Sequence, residues 1–101
     1  MNKSLGIYVT SDRNLDALIK LCQAAKKMNV EVNLFFTHFG TKLCTDPRLN
    51  ELQDIANIAL CKVGFEAHAL ERSDSTLKDK AFSSQSWHAE MIYDCDRYLT
   101  F

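Results

Sequence analysis

The sequence predicts a single three-layer α/β/α domain built on an open, mostly parallel sheet of four to five strands. Three observations lead there. The chain has 101 residues, enough for one domain and too few for two. Short β-rich apolar runs alternate with stretches of helical periodicity. A first strand, a helix and a second strand all fit within residues 5–37, and such a compact strand-helix-strand unit implies parallel pairing through a crossover helix.

The elements follow in order. Leu5-Gly6-Ile7-Tyr8-Val9-Thr10 is short and apolar and reads as a strand buried on both faces. Ser11 and Asp12 supply turn and cap chemistry. Leu15, Leu18, Ile19, Cys22 and Ala25 then recur at helical spacing, with Met28 continuing the stripe, so a helix is expected over residues 14–28. Lys26 and Lys27 suit the negative end of its dipole, and Asn29 suits its C-terminal turn. Residues 30–37 form the second strand. A loop at His38-Phe39-Gly40 leads to a helical turn at residues 41–44, then to a short helix started by Asp46-Pro47 with Leu49 and Leu52 facing inward. Residues 55–60 are a third apolar strand, and Cys61-Lys62 turns into a helix over residues 63–70 with Phe65 and Ala69 inward. Six of the ten residues 71–80 are charged, so this stretch reads as an exposed loop suited to a lid, with room for a short extra strand. A last helix over residues 85–95 offers apolar surface from Trp87, Met91 and Tyr93, and residues 97–101 form the final strand.

Composition excludes several classes. With 47% hydrophobic and 25% charged residues the chain has the ordinary globular mix rather than that of a disordered one. Net charge is −1 and the densest basic stretch is Lys26-Lys27, so no stripe for nucleic acid is present. The longest uncharged stretch, residues 32–41, is roughly half a membrane span. Met1-Asn2-Lys3-Ser4 leads straight into a strand without a signal-peptide core, so the protein is expected in the cytoplasm. Ser11-Asp12-Arg13 lacks the glycines of a phosphate loop, so no nucleotide cofactor is signalled. His38, His68 and His88 have no ligand spacing on one helix, and no metal is expected.

In an open parallel sheet, ligands and reactive groups collect at the carboxyl ends of the strands, near the point where strand order reverses. That rule selects residues 10–13, 37–44 and 60–64. Four cysteines are then to be weighed: Cys22, Cys44, Cys61 and Cys95. No CxxC occurs, and in a reducing cytoplasm free thiols are expected. Cys22 lies on the apolar stripe of the first helix and reads as core. Cys95 lies between Asp94 and Asp96, whose negative charges oppose an anionic nucleophile. Cys61 closes a buried strand and opens a helix, where backbone N–H groups favour a thiolate; Lys62 adds positive charge and Gly64 leaves room for a close approach. Cys44, on the same sheet edge, is a secondary candidate as a resolving partner. His38, at the end of the second strand, is a candidate base or hydrogen-bond partner for Cys61. Trp87-His88 suits either an interface or the core.

Particular residues give these features a family likeness. Leu34-Phe35-Phe36-Thr37-His38-Phe39-Gly40-Thr41-Lys42-Leu43 follows the long helix, Ile58-Ala59-Leu60-Cys61 ends in the helix-opening cysteine, and Asp96-Arg97-Tyr98-Leu99-Thr100-Phe101 closes the chain. Over nearly its whole length the chain resembles the DsrE/DsrF-like (TusD-like) sulfur-relay family. The resemblance implies a small oligomerising α/β domain, homo-oligomeric or joined to related subunits. It also implies that Cys61 carries sulfane sulfur as a persulfide between donor and acceptor proteins, as in the sulfurtransferase members, without a cofactor. Lys62, Phe65, Glu66 and His68 depart from the small residues common after that cysteine, which bears on partner specificity. Two alternatives stand beside this reading: a non-catalytic assembly module of the same fold, and a thiol redox sensor pairing Cys44 with Cys61.

Overall fold

A computed structural model describes residues 3–75 and 77–101; Met1, Asn2 and Thr76 lie outside the described residues, and with them the first two residues read for a leader and one position of the charged stretch. β1 (Lys3–Val9) leads to α1 (Leu15–Lys27) and β2 (Val30–Phe36). A 3₁₀ segment (His38–Thr45), a second one (Pro47–Leu49) and the four-residue α2 (Asn50–Gln53) connect to β3 (Asn57–Cys61). α3 (Lys62–Ala67), two 3₁₀ turns (Arg72–Asp74 and Asp79–Ala81) and the two-residue β4 (Phe82–Ser83) follow. α4 (Gln85–Asp94) and β5 (Arg97–Thr100) complete the chain. Five parallel strands stand in the order β4-β3-β2-β1-β5. The fold is the open parallel α/β sheet that the strand and helix periodicities imply.

The register places side chains alternately on two faces. Ile7, Val9, Val32, Leu34, Phe36 and Leu60 meet Leu15, Leu18, Ile19 and Cys22 of α1, with Leu49, Leu52 and Phe65 completing this larger core. Each of its fully buried Leu, Ile or Phe side chains stabilises the fold by about 1.5–3 kcal/mol relative to exposure. Phe35, Ala59 and Met91 form the smaller core on the opposite face, with Tyr8, Cys61, Trp87, Cys95 and Tyr98 around it. Among the described residues, α4 is the one helix that packs there.

α1 lacks a side-chain cap at Asn14, yet Asp16 and Lys26-Lys27 are placed to suit its dipole. Asn29 ends it with φ 58°, the left-handed conformation that asparagine tolerates. Met28 departs from the expected stripe: it is the C-cap rather than a helical position, and it is 77% exposed. Tyr93 is likewise 90% exposed, because α4 presents Met91 to the sheet and turns the second residue beyond it toward solvent. The extra strand sought in residues 71–80 falls just after them, at β4, where Leu60 pairs with Phe82 and Cys61 with Ser83. The charged stretch is exposed as expected, but it is anchored: Leu70 and Leu77 pack on the larger core, and Arg72 lies over the Phe82 ring and pairs with Asp79. It is therefore built as a braced connection rather than a lid.

One glycine is required by close approach. The Gly40 N–H donates to the Thr10 carbonyl oxygen at 3.1 Å, seating the loop after β2 on the end of β1. A Cβ at residue 40 would lie 2.8 Å from the Val9 carbonyl carbon and closer still to its oxygen. Gly40→Ala should therefore destabilise the fold by about 3 kcal/mol, the upper range of overpacking costs, measured as a lowered denaturation midpoint at unchanged m-value.

α4 docks through an aromatic stack. His88 lies on Tyr8 with ring centroids 4.0 Å apart, and its Nε2 is 2.7 Å from the Tyr98 hydroxyl. Burial holds the His88 imidazole below its ordinary value of 6.5. The unfolded chain therefore takes up this proton first, so stability should be complete above pH ~6.5 and should fall as pH drops below it. Asp46 acts in a separate, more acidic window, since its hydrogen bonds from Arg48 hold its carboxyl below 3.8. Replacing His88→Phe, which keeps a stacked ring, should flatten the near-neutral limb of a stability-against-pH series and leave the acidic limb in place.

Candidate functional site

β3 places Ala59 and Cys61 on the α4 side and Ile58 and Leu60 on the α1 side. Cys61 is the last residue of the strand and the N-cap of α3, with extended backbone at φ −75° and ψ 111°. Its Sγ accepts a hydrogen bond from the Gly64 N–H at 3.4 Å, so the sulfur takes the place a serine or aspartate oxygen usually holds in capping. The residue is half-buried and packs against the smaller core.

The position is topologically special. α3 carries Phe65 into the core on the α1 side, whereas α4, starting after the adjacent strand β4, carries Met91 onto the other side. The connections leaving β3 and β4 therefore diverge to opposite faces, and Cys61 pairs with Ser83 where they part. Cys61 thus stands at the carboxyl edge of the sheet, the edge at which open α/β sheets carry their ligands.

His38 reaches the same edge. Its φ of 49° puts a non-glycine residue in the left-handed region, a strained conformation held by its neighbours. The Thr41 hydroxyl donates to the His38 carbonyl oxygen at 2.8 Å. The His38 backbone nitrogen and the Cys61 Cβ both lie 3.6 Å from the point a Gly64 Cβ would occupy, so Gly64 is the seat where the two loops meet. The His38 side chain is exposed. Lys62 is exposed beside Cys61, while Lys42 places its ammonium over the Phe39 ring at 5.2 Å.

Cys44 is not brought to Cys61. It is fully buried in the core on the α1 side, and the sulfur of Cys61 joins the cluster on the other side of the sheet. Burial raises the Cys44 thiol far above its ordinary range and the Cys22 thiol to about 11, so neither forms a thiolate in the folded protein near neutral pH. The resolving-partner geometry for Cys44 is thus missing. Cys95 is half-buried and accepts from Asn33 Nδ2 at 3.4 Å.

Two groups at this edge, Gln85 and Ser83, lie outside the loops selected from the sequence. Thr37, 2% exposed, accepts from Gln85 Nε2 at 3.4 Å, which ties the end of β2 to the first residue of α4. Ser83 stands beside Cys61 only because β4 pairs there. Thr37 closes an apolar run, which is a usable signal, whereas nothing local marks Gln85 or Ser83. The histidines do not converge: His68 Nδ1 donates to the Gly64 carbonyl at 2.9 Å, and His88 is engaged with Tyr98. Among the described residues, no three His, Cys, Asp or Glu side chains gather to hold a metal ion, and no helix is long and apolar enough to cross a membrane. The chain matches no protein-family model and no curated protein.

Placement ranks the thiols. A brief pulse of alkylating agent on the native protein at neutral pH, followed by peptide mass spectrometry, should label Cys61 well before Cys22 and Cys44. Those two should label only after denaturant is added. Labelling of Cys44 at a rate comparable to Cys61 would contradict its placement.

Proposed function

We propose that this chain is a sulfur-relay protein of the DsrE/DsrF-like (TusD-like) kind, carrying sulfane sulfur on Cys61. The observation that carries the reading is the half-buried residue Cys61 at the carboxyl end of an inner parallel strand, where the connections of β3 and β4 diverge. Protein thiols that exchange sulfur need access from solvent and a donor hydrogen bond to the anionic sulfur; Cys61 is not fully buried, and its Sγ accepts from the Gly64 N–H.

The chemistry is redox-neutral. The Cys61 thiolate attacks the terminal sulfur of a donor persulfide. A sulfur–sulfur bond forms at Cys61 Sγ, the donor's sulfur–sulfur bond breaks, and the donor leaves as a thiolate. An acceptor thiolate then attacks the outer sulfur of the Cys61 persulfide, and Cys61 departs as the thiolate it began as. The Gly64 N–H can bind negative sulfur in both the free and the loaded form. A cytoplasmic, cofactor-free and oligomeric protein belongs to the same reading.

A non-catalytic assembly role draws on a different observation, the exposed Ile92, Tyr93 and Leu99. One experiment separates the two. Exposure to a sulfane donor followed by intact-mass and peptide analysis should add one sulfur atom at Cys61, with the addition lost in Cys61→Ala and reversed by excess thiol. Absence of any added sulfur at Cys61 in the folded protein, with Cys61→Ser retaining the cellular role, would replace the relay reading with assembly.

A further inference from the structure

A second site candidate lies away from Cys61. β4 is two residues long and pairs only with Leu60 and Cys61, so β3 at Asn57 and Ile58 lies beyond the reach of that pairing. An open cleft of about 500 Å³ occupies this notch, bordered by Asn33, Asn57, Ile58, Lys78, Lys80 and Trp87. That volume falls in the range of small-molecule clefts.

Its charge is unbalanced. Lys78 and Lys80 line it, and none of the described residues that border it is acidic; the Glu31 carboxylate meets the floor only through the Asn57 amide nitrogen. Asp79, the acid between them, is drawn off by Arg72, whose Nη1 lies 3.4 Å from the Asp79 Oδ1. By contrast, a cleft at the amino ends of β2 and β3 sets Lys26 against Glu31 and Asp54, and one beside α3 sets Lys62 and Arg72 against Glu66 and Glu71.

Its floor is polar where a strand ordinarily is not. Asparagine is disfavoured in strands, yet Asn33 and Asn57 stand at paired positions of β2 and β3. Asn57 Nδ2 donates to Glu31 Oε1 at 3.0 Å and to Asn33 Oδ1 at 2.9 Å, which fixes the amide orientation. Its Oδ1 accepts no hydrogen bond among the described residues. The wall is aromatic: Trp87 borders the cleft and is held from behind by Phe35, with ring centroids 5.8 Å apart and planes 20° off parallel.

A pair of ammonium groups, a fixed indole and a free amide carbonyl together define a ligand class. We propose that this cleft binds a small planar ring carrying an anionic group, such as a nucleoside monophosphate or an aromatic carboxylate. The ring lies against Trp87, the anion between Lys78 and Lys80, and an amino or hydroxyl group of the ring donates to Asn57. The inference is independent of any sulfur chemistry at Cys61.

Trp87 is the chain's one tryptophan, so its emission reports directly on the cleft. The full chain is titrated with adenosine monophosphate, adenosine, para-hydroxybenzoate and inorganic phosphate, exciting beyond the absorption of the ligands. At least one ring-bearing anion should shift the Trp87 emission saturably at submillimolar concentration, and the tighter of the two identifies the source of the anion. Adenosine, lacking the charge, should bind roughly tenfold more weakly or worse than the monophosphate where the monophosphate is that ligand. The double variant Lys78→Ala and Lys80→Ala alters exposed side chains only, so its circular dichroism should be native while binding weakens roughly tenfold or more. Failure of both ring anions to saturate at millimolar concentration, or a double variant titrating like the native chain, would overturn the proposal.

Discussion

The pairing of β5 with β1 is the constraint on which the rest of the structure depends. Chain order alone would carry the sheet outward from β1 to β4 in one direction. The last strand instead returns to the far side of β1, with Leu5 to Tyr8 aligned on Arg97 to Thr100. Both ends of this pairing are secured. The Ser4 N–H donates to Asp96 Oδ2 at 2.8 Å, and at the other end the Thr10 N–H and hydroxyl donate to the Phe101 carbonyl at 2.8 and 2.9 Å. Parallel crossovers are right-handed, so a strand that returns in the opposite direction must bring its helix over the opposite face. α4 consequently lies on the second face while α1 and α3 share the first. The divergence beside Cys61, the aromatic stack under α4 and the uncovered amino half of β2 and β3 all follow from that return.

Much of this architecture is legible in the sequence, because the physics that sets it is local. Period-two apolar runs give the strands, and the spacing of Leu15, Leu18, Ile19 and Cys22 gives α1 to within a residue at each end. Pro47 and the inward Leu49 and Leu52 mark the short segments before β3. What local pattern cannot show is an element whose existence depends on its neighbour. β4 is two residues of ordinary composition made into a strand by pairing with Leu60 and Cys61. Tyr93 is apolar enough to belong to the buried face of α4, but a helix with one sheet beneath it buries a narrow stripe, and Met91 fills that stripe.

The cysteines show the same division. Cys22 is readable as core from helical spacing, and Cys61 as a strand-to-helix cap from its place after Ile58-Ala59-Leu60. Cys44 looks equivalent to Cys61 when judged by sheet edge, since both follow strands at the carboxyl end. Face is the missing coordinate. The 3₁₀ segment after β2 folds under the sheet on the α1 side and buries Cys44 completely, whereas the side-chain alternation of β3 turns Cys61 to the other side. Once a sheet separates two thiols, nearness of their loops along one edge carries no chemical consequence.

Coverage by a single ten-residue helix also explains where polar groups enter the sheet. Beneath α4 the strands present Tyr8, Phe35 and Ala59, which the helix and its aromatic side chains keep from water. Toward the amino ends of β2 and β3 they present Glu31, Asn33 and Asn57, hydrogen-bonded to one another across the strands. An apolar residue at those positions would leave exposed surface that α4 is too short to cover, and a second helix has no place in the connectivity. Amides resolve the conflict, since Asn57 donates to Asn33 and Glu31 while remaining exposed to solvent. The outcome is a strand, β3, with two chemically different ends: a thiol at its carboxyl end, and an amide-floored, lysine-bordered cleft on its open edge toward the amino end. That cleft meets α4 at Trp87, and Cys61 is not among the described residues that border it.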